Sequence, residues 1–159
     1  MDFFAFEQMQ IAFQLILAAF LGGLVGLERE AQERAAGLRT NCLVCLGAAL
    51  FTLISSNAFN SLLDNPGVRF DPSRVVSTIV MGVGFIGAGL IIYRKFRVEG
   101  LTTAAGIWTV AGIGVAVGAG LYFVAVFATF LVLVILNVLR ILEERFFGKD
   151  KDIFYKESR

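Results

Sequence analysis

The sequence predicts an all-α fold: a polytopic transmembrane helical bundle of about five spans, with the N-terminus outside and the C-terminus in the cytoplasm. Three observations predict it: five apolar stretches of 17 to 19 residues, four short connections between them, and an uneven distribution of basic residues on those connections. An α-helix needs roughly 20 apolar residues to cross the hydrocarbon core, within a range of about 17–25. Because 57% of the 159 residues are hydrophobic, we expect most of the chain to lie in a membrane.

The predicted spans are, in chain order, Ile11–Leu27, Asn41–Phe59, Val75–Tyr93, Leu101–Val117 and Leu121–Leu139. The first span is expected to be retained, because a signal peptide begins with basic residues. The charged residues of the segment before this span are Asp2 and Glu7, both acidic. Asp71 and Pro72 predict the start of the third helix, as its N-cap and first helical residue. Between the fourth and fifth spans, the glycines of 112–120 predict either a tight outer turn or a helix break.

The basic residues give the predicted orientation. With the N-terminus outside, 12 of the 14 Lys and Arg residues fall in the connections Glu28–Thr40 and Arg94–Gly100 or in the tail that begins at Arg140. Only Arg69 and Arg74 then face outward. Short loops rich in Lys and Arg are retained in the cytoplasm, which favours this arrangement. We therefore predict one transmembrane domain, residues 1–140, and a short charged cytoplasmic tail, residues 141–159.

Glycines recur within the predicted spans at the spacing that places them on one helix face. Small residues let helix backbones approach closely in a bilayer, where no hydrophobic effect drives helices together. The string at residues 82–87 also fits G-x-G-x-x-G. A dinucleotide site needs a strand before this string, a soluble helix after it and an acidic residue about 20 positions on, whereas here the string lies inside an apolar run. We therefore assign the glycines to helix packing. The residues so assigned are Gly22, Gly26, Gly82, Gly84, Gly87, Gly89, Gly114 and Gly118.

The composition excludes several kinds of chemistry. The chain has no histidine, which rules out Ser-His-Asp and Cys-His catalysis. Cys42 and Cys45 are its two cysteines, and without histidine they leave a conventional zinc site nearly excluded, so packing is their expected role. We expect no catalytic residue, no metal, no cofactor and no nucleic-acid partner.

Charged residues at the ends of the first two spans indicate a site. A charge at the edge of the hydrocarbon needs a partner, so Glu28 is expected to pair with Arg39. The topology places Asn41, Thr102 and Thr103 at the same cytoplasmic end. The prediction is a functional site at this end of the bundle. The alternatives are a structural ion pair that locks the first two spans together, or charges that merely mark the membrane interface.

Four strings together resemble the membrane domain of the MgtC/SapB proteins, over roughly residues 10 to 140: GLVGLERE, GLRTNCLVCLGAALFTLIS, DPSRVVSTIVMGVGFIGAGLII and VEGLTTAAGIWTVAGIGVAVGAGLY. The resemblance implies a multi-pass protein of the bacterial inner membrane, associated with growth at low magnesium and with virulence. Its motifs extend the functional polar cluster, which becomes Glu28, Arg29, Glu30, Arg39, Thr40, Asn41, Asp71, Arg74, Thr102, Thr103 and Trp108.

The function that the resemblance implies is non-enzymatic modulation of Mg²⁺ and membrane-potential homeostasis through another membrane complex. The alternative is a transporter or channel for an ion or small solute. Besides the lipid bilayer, the partner implied is a membrane complex of the ATP synthase type. We separately expect a second copy of the chain as partner in a homodimer. Longer relatives add a soluble domain after the last span, whereas only about 20 residues follow it here, so no function of that domain carries over. The loop Arg94–Gly100 is also more basic than the family pattern.

Overall fold

A computed structural model describes residues 2–57, 71, 73–94 and 97–156. Its elements are α1 (Asp2–Ala31), α2 (Leu38–Asn57), α3 (Ser73–Gly89), β1 (Ile92–Arg94), β2 (Arg97–Glu99), α4 (Leu101–Gly118) and α5 (Tyr122–Lys156). The five helices follow the five predicted spans in order, which confirms a helical membrane bundle. Four of them are long and apolar enough to cross a bilayer, and α3, at 17 residues, is a shorter apolar helix at the lower end of the spanning range of about 17–25.

The predicted end of the third span is wrong. The helix ends at Gly89 rather than continuing to Tyr93, and the next residues form a two-stranded antiparallel hairpin in which Tyr93 pairs with Val98. β-branched and aromatic residues favour extended backbone, and this segment contains Ile91, Ile92 and Tyr93 in succession. The hairpin returns the chain to the start of α4 at Gly100, whose φ of 91° favours glycine. A side chain there would also collide with the Leu90 carbonyl oxygen.

Helix α2 packs against both α1 and α4 through glycines on those two helices. A Cβ atom built on Gly22 of α1 would lie 2.6 Å from the Asn41 carbonyl oxygen, and one on Gly26 would lie 2.7 Å from the Leu38 Cα. On α4, a Cβ on Gly118 would lie 2.7 Å from the Ala49 carbonyl oxygen. These separations are shorter than real Cβ contacts, so the backbones meet only because these residues lack side chains.

The glycines of α3 do not behave in this way. Gly82, Gly84 and Gly89 have no described atom within 4 Å of an added Cβ, so the predicted packing role is wrong for these three within one chain. Gly87 is buried, but its added Cβ would lie in ordinary contact with Ala104, at 3.5 Å. The physical reason is that α3 contacts mainly α4 and leaves one face open, where Phe85 is 83% exposed.

The interior between α1, α2 and α4 is apolar. Its fully buried side chains include Val25, Val110 and Val117. A buried polar contact also joins two of these helices, since the amide of Gln14 on α1 donates a hydrogen bond of 3.0 Å to the Val117 carbonyl on α4. Helix α5 packs against α4 and α1 and extends well beyond the predicted fifth span.

A tight turn joins α4 to α5, which is one of the two alternatives, turn or helix break, that the glycines of this region predicted. The Leu121 N–H donates to the Ala116 carbonyl and the Gly120 N–H donates to the Val117 carbonyl, the pattern of a Schellman motif. Gly120 has a φ of 77°, the left-handed conformation that this motif requires after a helix. Glycine adopts it without steric cost.

Candidate functional site

One end of the bundle contains a polar cavity. The end of α1, the start of α4 and the middle of α5 meet there and enclose about 220 Å³. The polar side chains that line the cavity are Glu28, Arg29, Gln32, Arg34, Thr102 and Arg140. On the α5 side the wall is apolar, formed by Ile135, Leu136 and Leu139. The cavity therefore unites three predicted site residues with three that the sequence analysis did not include.

The carboxylate of Glu28 is buried without a hydrogen bond. Its side chain is 9% exposed, and neither carboxylate oxygen has a hydrogen-bond partner. The nearest cation is the neighbouring Arg29, whose side chain is 7% exposed and whose Nη1 lies 3.7 Å from a Glu28 oxygen, an ion-pair distance beyond hydrogen-bond range. A buried charge held by one long contact is costly, because neither oxygen recovers the hydrogen bonds that water gave it.

The predicted partner of Glu28 is wrong. Arg39 is exposed, and it forms no ion pair with Glu28. The residue of α2 that faces inward is Asn41, which is 1% exposed. Since α-helical residues are spaced by about 100°, Arg39 lies roughly 200° around the helix from Asn41 and points outward. Arg39 and Asn41 therefore point to different sides of α2, although they are only two residues apart in sequence.

A second Schellman motif, at the end of α1, brings Gln32 and Arg34 to the cavity. The Arg34 N–H donates to the Arg29 carbonyl at 3.0 Å, and the Glu33 N–H donates to the Glu30 carbonyl at 3.0 Å. The left-handed position is occupied by Glu33, at a φ of 53°, where glycine is usual. The turn is therefore strained at the residue between two cavity side chains.

A hydrogen bond between side chains fixes the wall between α1 and α5. The Arg140 guanidinium donates to the Gln32 amide oxygen. The sequence contained a signal for Arg140, which directly follows the predicted fifth span at the same end of the bundle as Glu28. It contained none for Gln32 or Arg34, whose positions depend on the left-handed turn.

Two residues of the predicted cluster hold the connection between α1 and α2. A carboxylate oxygen of Glu30 accepts a 2.7 Å hydrogen bond from the Leu38 N–H, at the first residue of α2. The Asn41 amide donates to the carbonyls of Ala36 and Gly37, at 3.0 and 2.8 Å. Glu30 and Asn41 therefore satisfy backbone groups at a helix start, which is an architectural role.

The remaining members lie outside the cavity. Thr40 is partly buried on α2, Thr103 is buried on α4, and Trp108 is 53% exposed on the outer face of α4. Asp71 and Arg74 lie at the opposite end of the bundle, since they flank the start of α3. The structure thus divides the predicted cluster into a cavity, a connection between helices and a distant helix start.

Asp71 caps α3 as the sequence predicted. Its Oδ1 accepts hydrogen bonds from the Ser73 N–H at 3.0 Å and from the Ser73 hydroxyl at 2.6 Å. The pKa of the Asp71 carboxyl is lowered because its charged form is stabilised. The largest cause is the hydrogen bond from the Ser73 hydroxyl, followed by the bond from the Ser73 N–H and, to a lesser degree, by the charge of Arg74. Pro72 lies outside the described residues.

The other motifs show no chemistry of their own. The string at residues 82–87 lies within α3, so that helical residues, and not a strand, directly precede it. Cys45 is buried and free, and its Cβ lies against Gly22. Among the described residues, no group of three or more Cys, Asp or Glu side chains is placed to hold a metal ion.

Comparison with known proteins gives the relationships of the chain. A model of the MgtC family matches residues 15–145. The putative magnesium transporter YhiD of Escherichia coli K12 is 41% identical over 137 residues, which cover 86% of this chain and 64% of YhiD. Protein MgtC of Brucella abortus is 46% identical over 123 residues, which cover 77% of this chain and 48% of that protein.

A third relative, protein SrpB of Synechococcus elongatus, is 38% identical over 143 residues, which cover 80% of this chain and 73% of SrpB. No solved structure matches the chain. The chain spans between about half and two thirds of the length of YhiD and of MgtC from Brucella. The family match covers most of the helical bundle, including Glu28, Arg34 and Arg140 of the cavity. This chain belongs to the MgtC family.

Proposed function

We propose that this protein is a non-enzymatic modulator of Mg²⁺ and membrane-potential homeostasis in the bacterial inner membrane, and that the polar cavity is its functional site. Membership of the MgtC family, with a relative named as a putative magnesium transporter, supports a role in magnesium homeostasis. The modulator acts through another membrane complex, and the cavity is the site at which that action is controlled.

The observation that carries the proposal is the Glu28 carboxylate, buried at a bundle end without a hydrogen bond. An architectural carboxylate would be hydrogen-bonded at short distance, as the Glu30 carboxylate is by the Leu38 N–H at 2.7 Å. Polar groups that are buried at a cost, and that contribute little to stability, are typical of functional sites.

Glu28→Gln tests the proposal. The change removes the charge, keeps the shape and breaks no hydrogen bond, so the protein should still accumulate in the membrane. Growth at low Mg²⁺ and membrane potential should both fall toward the values of a deletion strain. Arg39→Gln is the matched control, since it removes an exposed charge at the same bundle end outside the cavity. Full activity of Glu28→Gln at normal protein level would overturn the proposal.

Transport is the second candidate, and a second cavity favours it. About 380 Å³ at the opposite end of the bundle is lined by polar side chains of α1 and α2, namely Glu7, Gln10, Gln14 and Ser56. The apolar core, with Val25, Val110 and Val117 fully buried, separates the two cavities, the arrangement of a closed pathway. Flux of Mg²⁺, K⁺, Na⁺ or protons into liposomes, lost in Glu28→Gln, would favour transport over modulation.

A further inference from the structure

We propose that the cavity at Glu28 binds a group that carries both a phosphate and an ammonium, the chemistry of a phosphoethanolamine headgroup. The proposal goes beyond the proposed function by naming the ligand of the same cavity, and it rests on that function only for the choice of site. It follows from the charges of the lining, the state of Glu28 and the apolar wall of α5.

The charges of the lining favour an anion. Two guanidinium groups, those of Arg29 and Arg34, line the cavity with one carboxylate, that of Glu28, so these three side chains carry a net charge of about +1. A third guanidinium, that of Arg140, is already engaged with the Gln32 amide oxygen. Mg²⁺ prefers several oxygen ligands and is usually held by one or two carboxylates with phosphates or water. Two arginines beside a single carboxylate disfavour a bare divalent cation, whereas guanidinium groups pair well with phosphate oxygens.

An anion alone leaves Glu28 unsatisfied. Its two oxygens are buried and lack donors, and Arg29 at 3.7 Å does not supply a hydrogen bond. An ammonium group placed in the cavity would donate to these oxygens and would compensate the buried charge. A zwitterion meets both demands, because its ammonium satisfies Glu28 while its phosphate satisfies the arginines.

The position of the cavity indicates where such a zwitterion is found. Glu28 directly follows Leu27, which ends the long apolar run of α1. Thr102 is the second residue of α4, and Arg140 is near the end of the apolar part of α5. These positions mark the headgroup level of a bilayer. On the α5 wall, Ile135 and Leu139 are 52% and 51% exposed, so an apolar surface continues from the cavity toward the lipid chains. A phospholipid headgroup with the first part of its chains fits this surface, and a soluble phosphoethanolamine compound shares the headgroup chemistry.

The test measures lipid retention by native mass spectrometry of the whole protein in mild detergent. Phosphatidylethanolamine, phosphatidylcholine and phosphatidylglycerol with identical acyl chains compete for the wild-type protein. The trimethylated ammonium of phosphatidylcholine has no N–H to donate, and phosphatidylglycerol has no ammonium. We expect phosphatidylethanolamine to be retained about tenfold better than either, the factor for one hydrogen bond to a charged group. Equal retention of the three lipids by the wild-type protein would overturn the proposal.

Two variants and a control assign the groups. Glu28→Gln should abolish the preference for phosphatidylethanolamine over phosphatidylcholine. Arg34→Gln should weaken retention of all three lipids while keeping that preference, because it removes a phosphate partner. Arg39→Gln should behave as wild type. A preference that persists in Glu28→Gln would contradict the proposed ammonium contact.

Soluble phosphoethanolamine separates the two sources of the ligand. If millimolar phosphoethanolamine displaces the lipid, the free headgroup is sufficient for binding. If it does not, the ligand is the phospholipid itself. Both results support the proposed binding chemistry. Growth at low Mg²⁺ separates this inference from the proposed function. A Glu28→Gln strain that grows normally while its protein loses the lipid preference would leave the ligand assignment standing and would overturn only the functional role of the site.

Discussion

Replacing Gly114 by alanine tests whether the contact between α4 and α2 depends on the absence of a side chain. A Cβ at this position would lie 2.9 Å from the Cβ of Ala48 and closer still to the carbonyl oxygen of Cys45. Ordinary contact begins at 3.4 Å, so the two helices would have to separate by at least about 0.5 Å. The carbonyl belongs to the backbone of α2 and cannot rotate away as a side chain would.

The magnitude follows from two opposing effects. Overpacking a well-packed interior costs about 1–3 kcal/mol. Alanine gains about 0.5–1 kcal/mol over glycine in the interior of a helix. The difference of these two effects lowers the free energy of unfolding of Gly114→Ala by about 0–2.5 kcal/mol relative to wild type. Relative to a Gly→Ala change that has only the helix-propensity gain, the expected loss is the full overpacking cost of about 1–3 kcal/mol.

Gly112→Ala is the matched control in the same helix. Its added Cβ has no described atom within 4 Å, so only the gain in helix propensity remains, and the variant should be as stable as the wild type or slightly more stable. Unfolding by a denaturing detergent, followed by the fluorescence of Trp108, measures both variants under the same conditions. If Gly114→Ala proves as stable as Gly112→Ala, close packing of α4 on α2 is refuted.

Three further predictions concern a turn, a helix start and the topology. Glu33→Gly should stabilise the protein by about 0.5–1 kcal/mol relative to Glu33→Ala, since only glycine relieves the strain of a φ of 53°; equal stability of the two variants in the same unfolding assay would contradict this. The lowered pKa of Asp71 predicts that wild type is more stable than Asp71→Ala above about pH 3.9, the pKa of Asp in an unfolded chain. This advantage should fall as the pH drops through the lower folded-state pKa. An advantage that does not change with pH would refute the prediction. In a variant without the two native cysteines, Ser61→Cys should react with a membrane-impermeant thiol reagent from outside and Lys151→Cys only after permeabilisation, and labelling of both from one side would refute five spans. Ser61 lies outside the described residues.

The fold was largely predictable because membrane helices follow a simple constraint. The bilayer fixes the length of each span, and an apolar stretch in lipid must satisfy its backbone groups as a helix. The five helices could therefore be identified from the apolar stretches of the sequence. The end of α3 could not, because Leu90–Tyr93 is as apolar as the helix before it. Whether such a segment continues as a helix or pairs as a strand depends on a partner, here Arg97–Glu99.

The glycines illustrate a second limit of the sequence. Those of α1, α3 and α4 show similar spacing, yet only some of them meet another backbone. Gly22 and Gly114 contact α2, whereas Gly84 faces open space. Spacing reports which residues share a helix face, but the arrangement of the helices decides which faces are covered.

The same distinction applies to the candidate site. The sequence by itself determined which charged residues lie at the ends of spans, because the bilayer excludes charge from their middle. It therefore identified Glu28 and Arg29. Only the tertiary structure decided their neighbours, since the helical phase of α2 turns Arg39 outward and a left-handed turn at Glu33 brings Arg34 back to the cavity. Membership in the site depends on rotation about helix axes and on the geometry of one turn, which apolar patterning does not encode.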